Sequence, residues 1–163
     1  MNQQHTKSEE EIKELVDKHS SLIFRIAYCI LSNSEDAQDA VQETFLKYIT
    51  KAPEFNSEEH RKAWLIRVAT NISKNMLLFR RKRETVDLSD IENIGINEDD
   101  FETFELIMNL PTKYKLVMIL YYVEGYLSKE IAEIIGISED AVRKRLQKGR
   151  ELLKKEIEKE QSI

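Results

Sequence analysis

Ser128–Arg150 reads SKEIAEIIGISEDAVRKRLQKGR, and its spacing decides what the second half of the chain builds. Two helices that cross closely need a small residue at the contact, and Ala132 provides one. Gly136, four residues on, supplies the turn. Ile131, Ile135, Ile137 and Val142 are placed to fill the shared core, with Leu146 and Leu153 continuing the inner stripe. Ser128 is expected to cap the first helix and Ser138 the second, which runs to about Glu158. Between its apolar positions the second helix displays Arg143, Lys144, Gln147, Lys148 and Arg150. Side chains of these types contact phosphates and base edges when a helix enters the major groove. A helical hairpin with a solvated basic face is the competing reading. The coincidence of the Ala, Gly and apolar spacings favours a DNA-binding helix-turn-helix.

Upstream of this motif, Pro111 fits the first turn of a helix that runs to Glu124 and is closed by Gly125. Phe104, Leu106, Ile107 and Leu110 predict a short helix before it. Residues 84–101 carry Glu84, Asp87, Asp90, Glu92, Glu98, Asp99 and Asp100, no basic residue, and aliphatics without sustained period. Such a segment buries too little to offset its ordering entropy, and is read as a flexible linker.

Further upstream the period is again helical. Ser8 with Glu11 makes a capping-box pattern, and Ile12, Leu15, Val16, His19, Leu22, Ile23, Ile26, Ala27 and Ile30 follow as one stripe. Ser32-Asn33-Ser34 ends that helix and can cap the next, from about Glu35 to Lys51, with Ala37, Val41, Phe45, Tyr48 and Ile49 on its inner face. Ser57 starts a third helix, whose buried face is Leu65, Val68, Ala69, Ile72, Met76 and Phe79. The reading is all-α: an N-terminal helical bundle (8–83), an acidic flexible linker (84–101) and a C-terminal helix-turn-helix domain (102–160).

Composition narrows the function classes. Among 163 residues there are four glycines, two prolines and one cysteine, too few turn-formers for a sandwich or barrel. Cys29, between apolar neighbours, reads as a small buried hydrophobe. His5, His19 and His60 show no metal-ligand spacing. The glycines form no phosphate loop or dinucleotide fingerprint, and no Ser/His/Asp arrangement is visible, so neither catalysis, metal nor cofactor is expected. No apolar run is long enough to span a bilayer, and no signal peptide pattern opens the chain. A cytoplasmic protein is expected.

The net charge of −5 conceals a segregation. Residues 60–83 hold eight Lys/Arg and no Asp/Glu, while residues 84–105 hold nine Asp/Glu and no Lys/Arg. A cationic stripe inside an acidic chain attracts polyanions. On the third helix Arg67, Thr70, Asn71, Lys74 and Asn75 fall on one face. Asn there can bond exposed bases while Arg67 and Lys74 attract phosphate, and Arg80-Arg81-Lys82-Arg83 extends the charge. Trp64 either stacks on a base or packs; for a lone tryptophan packing is favoured. On the second helix Asp36, Asp39, Gln42 and Glu43 form a polar face whose partner composition alone does not identify.

Taken in order, the motifs resemble a known family. EDAQDAVQETF (35–45), AWLIRVATN (63–71) and the block from Leu110-Pro111 to Arg150 are similar to bacterial RNA polymerase sigma factors of the sigma-70 family, extracytoplasmic-function branch. The resemblance spans about 9–83 and 102–158. It implies that Asp39, Gln42 and Glu43 dock on the clamp helices of the largest subunit of core RNA polymerase. It implies that Arg67, Asn71, Lys74 and Asn75 read the −10 promoter element as strands separate, and that Arg143, Lys144, Gln147 and Lys148 read the −35 element. It further implies a linker threading a basic polymerase channel as an acidic stand-in for nucleic acid, and an anti-sigma factor as an additional partner. Lys144 stands where the family often has a small residue, and Gly149 where Ala is usual. The alternative function is a stand-alone helix-turn-helix regulator, which would need neither the docking face nor the strand-reading helix.

Overall fold

A computed structural model describes residues 7–79 and 98–161; the basic run Arg80–Arg83 and residues 84–97 of the expected linker lie outside the described residues. The described residues are helical, without strands, and fall into two compact units, 7–79 and 98–161.

The first unit is a bundle of α1 (Glu9–Leu31), α2 (Ser34–Lys51) and α3 (Glu58–Phe79), each packed on the other two. Short polar side chains start each helix by accepting an otherwise orphaned backbone N–H. Ser8 Oγ accepts from Glu11, Asn33 Oδ1 from Asp36, and Ser57 Oγ from His60. Ser32 ends α1 in the left-handed region at φ 51°, its N–H donating to the Tyr28 carbonyl. The C-terminal half of α1 goes further than a one-sided stripe: all ten residues Leu22–Leu31 are buried, Cys29 among them. A helix apolar nearly all round is what that environment selects.

Two inner-face expectations are corrected. Ile49 of α2 is exposed, and Phe79 at the end of α3 is 89% exposed. Both sit on helix faces that turn away from the bundle, where the apolar period runs past the last partner.

The second unit begins with α4 (Glu98–Met108), so the final residues of the expected 84–101 linker, 98–101, are helical. Acidic residues in a first helical turn meet the positive end of the helix dipole, so their charge does not oppose helix formation there. Pro111 precedes α5 (Thr112–Met118), which runs directly into a π-helical segment, Ile119–Val123. The Glu124 N–H donates to the Ile119 carbonyl at 3.0 Å, the wide i→i+5 pattern. Gly125 ends it at φ 78°.

The helix-turn-helix is α6 (Ser128–Ile135) and α7 (Glu139–Gln161). Gly136 adopts φ 74° and its N–H bonds the Ala132 carbonyl, with Ile137 N–H following to the same oxygen. Ser138 Oγ caps α7 by accepting from Ala141 N–H. Ser128 does not cap α6: it is already the first helical residue, and Glu130 closes the turn by accepting the Leu127 N–H at 2.9 Å. Ile131, Ala132, Ile134, Val142 and Leu146 are buried. Ile134, rather than Ile135, is therefore the inward residue at the end of α6, because its place one turn after Ile131 keeps it on the core side. Gly149 is buried in the middle of α7. A Cβ there would lie 2.9 Å from Met118 Cγ and Sδ, so the glycine permits close contact between α7 and α5.

Candidate nucleic-acid and polymerase interfaces

Each unit presents polar helix faces opposite its core. On α2, Ala37, Ala40, Thr44, Phe45 and Tyr48 are buried, and Asp39, Gln42 and Glu43 are exposed on the other side. Asp36 does not belong to that face: it is buried in the first turn of α2, where its own N–H is taken by Asn33. The polar face continues with two apolar side chains, Leu46 (60% exposed) and Ile49 (45% exposed). Spacings from Asp39 through Gln42 and Glu43 to Leu46 and Ile49 follow one helical side. The face is thus charged at one end and greasy at the other, a mixture suited to a protein partner.

On α3, Arg67, Asn71, Lys74 and Asn75 are all exposed, set against buried Leu65, Ile66, Ala69, Ile72 and Ser73. Thr70 leaves the predicted face. It is 2% exposed, and its Oγ1 donates to the Ile66 carbonyl at 2.7 Å, the back-bonding usual for a helical threonine. Trp64 packs: its ring meets Tyr48 and Phe55 edge-on at 6.0 and 5.7 Å, while Phe55 stacks on Tyr48. Lys7 lies over the Tyr48 ring, 3.6 Å from its centre, and donates to the Tyr48 carbonyl. Burial holds the Lys7 ammonium below its usual pKa and raises that of the Tyr48 phenol.

The approach to α3 is fixed by Glu58. Its Oε1 lies 3.0 Å from Nε2 of buried His19 and 3.3 Å from Lys18 Nζ, while Oε2 accepts from Arg61 at 2.9 Å. The His19 hydrogen bond, first among these, holds the Glu58 carboxyl below its ordinary value. Glu58 thus cross-links α1 to the first turn of α3.

On α7, Arg143, Lys144, Gln147 and Lys148 are exposed. Three are paired with acids one turn away: Arg143 with Glu139 at 2.6 Å, Lys144 with Asp140 at 3.0 Å, and Lys148 with Glu151 at 3.6 Å. Such exposed pairs are weak, so phosphates or bases can displace the carboxylates at little cost. Arg150 behaves differently, with its Nε donating to the Tyr122 hydroxyl at 2.7 Å.

Known proteins carry the same arrangement in the same order. The Sigma-70 region 2 pattern matches residues 15–84, and the Sigma-70, region 4 pattern matches residues 102–153. The chain belongs to the sigma-70 family. The ECF RNA polymerase sigma factor SigW of Bacillus subtilis is 28% identical, covering 88% of this chain and 87% of its own. The ECF RNA polymerase sigma-E factor of Haemophilus influenzae is 31% identical over 76% of this chain and 75% of its own. The Bartonella quintana sigma factor RpoE, solved with the anti-sigma factor NepR, superimposes with a TM-score of 0.71 at 17% identity, over 91% of this chain and 98% of that one. These relatives place the chain in the extracytoplasmic-function branch.

The protein is therefore a sigma factor that directs transcription initiation. Region 2 spans the α2 and α3 faces, and region 4 holds the helix-turn-helix. Sigma factors are in general DNA-binding initiation factors and not enzymes. No described helix is long and apolar enough to cross a membrane. Ile49 escaped the sequence reading because an apolar residue on an amphipathic helix is assigned inward by default, and Leu46 was given no place in it; only the tertiary packing shows both exposed.

Proposed function

We propose that the three exposed faces divide the work of promoter recognition by a cytoplasmic RNA polymerase holoenzyme. Asp39, Gln42 and Glu43 of α2 dock on the clamp helices of the core enzyme, with Leu46 and Ile49 completing that surface. Arg67, Asn71, Lys74 and Asn75 engage the −10 element, and Arg143, Lys144, Gln147 and Lys148 the −35 element. In this division residues 8–83 and the helix-turn-helix domain to residue 160 act as separate modules, and the acidic stretch between them occupies a basic channel of the polymerase. The action is binding rather than catalysis: −35 contacts place the enzyme, and capture of unstacked −10 bases favours the open state. NepR on the Bartonella relative supports an anti-sigma factor as a further partner of this chain.

The observation that carries the reading is the α3 face. Four polar side chains, two of them cationic, are displayed on one side of a helix whose other side is buried. A stand-alone duplex-binding regulator has no use for that face beside a helix-turn-helix. The test is in vitro transcription with bacterial core polymerase on the DNA upstream of the protein's own gene. A discrete start that requires the protein supports the assignment. Failure of the protein to co-elute with core polymerase would sink the assignment of the α2 face to docking.

A further inference from the structure

Arg143, Gln147 and Arg150 follow one another at spacings of four and three, so Arg150 lies along the same side of α7 as the −35 reading residues, one turn further on. Unlike Arg143, Lys144 and Lys148, it is not bridged to an acid of its own helix among the ion pairs described. Its partner comes from the body of the domain. Nε donates to the Tyr122 hydroxyl at 2.7 Å, and the guanidinium carbon sits 5.8 Å from the ring centres of both Tyr121 and Tyr122. Those two rings meet edge to face, 4.9 Å apart, within the π-helical segment. π-turns are often retained at functional positions.

This geometry has a chemical consequence. A guanidinium offers five N–H donors in a planar fork, and binding one edge at Nε leaves the terminal amino groups for another acceptor. Arg150 is exposed, and its long side chain is already ordered by the tyrosine pair, so little rotamer entropy remains to be lost on binding. Neutral tyrosine hydroxyl and ring faces hold the cation without cancelling its charge, whereas a carboxylate would cancel it. A charged, pre-ordered arginine at the margin of a reading face matches what a DNA backbone phosphate requires.

We infer that Arg150 is a phosphate-binding residue of region 4, and that Tyr122 is the positioning residue that aims it. The inference rests on the −35 assignment of α7 and adds a contact that sets the rotation of the recognition helix without reading sequence.

The test uses holoenzyme reconstituted from core polymerase and full-length protein. Closed-complex affinity is measured between about 50 and 200 mM salt on a promoter fragment and on the same fragment with a scrambled −35 element. Arg150→Ala is expected to weaken binding to both by a similar factor, about tenfold, and to lower the log–log salt slope by about one. Arg150→Lys retains the slope but recovers affinity only in part, because an ammonium lacks the fork. Tyr122→Phe keeps the ring and weakens binding several-fold in the wild type, with no added effect in Arg150→Ala.

An unchanged salt slope in Arg150→Ala would overturn the inference, even if thermal stability fell, since that is the signature of a strut alone. Loss confined to the intact −35 element would overturn it too, by making Arg150 a base reader. If wild-type holoenzyme ignores the scrambling, the underlying −35 assignment fails instead, a result distinct from either.

Discussion

Glu58 Oε1 on the first turn of α3 lies 3.0 Å from Nε2 of His19, a buried residue of α1. The contact ties α3, with its exposed Arg67, Asn71, Lys74 and Asn75, to α1, the most buried helix of region 2. Lys18 and Arg61 add to it from either side, and together they hold the Glu58 carboxyl below its ordinary value, the His19 bond contributing most.

A depressed carboxyl stabilises the fold above its unfolded pKa, and that contribution is lost as pH falls through the lower folded value. Chemical denaturation followed from pH 7 to pH 3 should therefore show a loss on the acid side, as pH falls below the ordinary glutamate value. Glu58→Gln should be less stable at neutral pH and flatter through that window. The carboxylate is 42% exposed, so solvent screening keeps the difference below about 1 kcal/mol. Equal acid slopes for mutant and wild type would exclude the linkage.

Gly136→Ala should destabilise region 4 by about 1–2 kcal/mol, because φ 74° places a Cβ against the following carbonyl. Urea denaturation reads the loss directly. A second variant, Ile135→Ala, on the half-buried position beside the turn, should cost less than the 2–5 kcal/mol of a fully buried Ile→Ala change.

Leu46→Ala should leave the melting temperature within about a degree of wild type while weakening association with core polymerase by about 1–3 kcal/mol. The side chain is 60% exposed, so folding has little to lose from its removal. Asp39→Lys combined with Glu43→Lys should have a larger effect on the same association. Surface-plasmon measurements against core enzyme check both; normal affinity in all variants would move the docking face elsewhere.

Asn71→Ala should be neutral for stability, within about 0.5 kcal/mol, and should reduce open-complex formation more than closed-complex formation. Thr70→Val is the contrasting variant. Its hydroxyl serves the Ile66 carbonyl inside the helix, so it should leave promoter opening intact. Permanganate footprinting of the −10 region separates the two.

Much of this architecture was legible beforehand, and the reasons are local. Ser8, Asn33, Ser57 and Ser138 accept N–H groups three residues on through their side chains, and Gly136 turns through its own backbone, so neighbouring residues suffice to predict them. The exposure of the polar faces of α3 and α7 was legible because charge and helical period coincide there. What escaped depends on tertiary partners. Nothing near Ile49 or Phe79 in sequence says that no helix of the bundle covers them, and nothing near Arg150 says that its Nε meets Tyr122, twenty-eight positions earlier. Thr70 and Asp36 fit a polar face by period, yet both are buried by bundle packing, and the Thr70 hydroxyl is turned to the Ile66 carbonyl.

The contact between Gly149 and Met118 also bears on how region 4 can be rebuilt. The methionine side chain fills the volume that any residue with a Cβ would need at position 149. The two positions are one steric unit shared by α7 and the helix that supports it, α5. Chimeras that import α7 from a relative with Ala at 149, while keeping Met118, should meet a misfit that neither parent has. Exchanging both positions together keeps the helix seated, so an α7 that carries a Cβ at position 149 is accepted here only with a smaller residue in place of Met118.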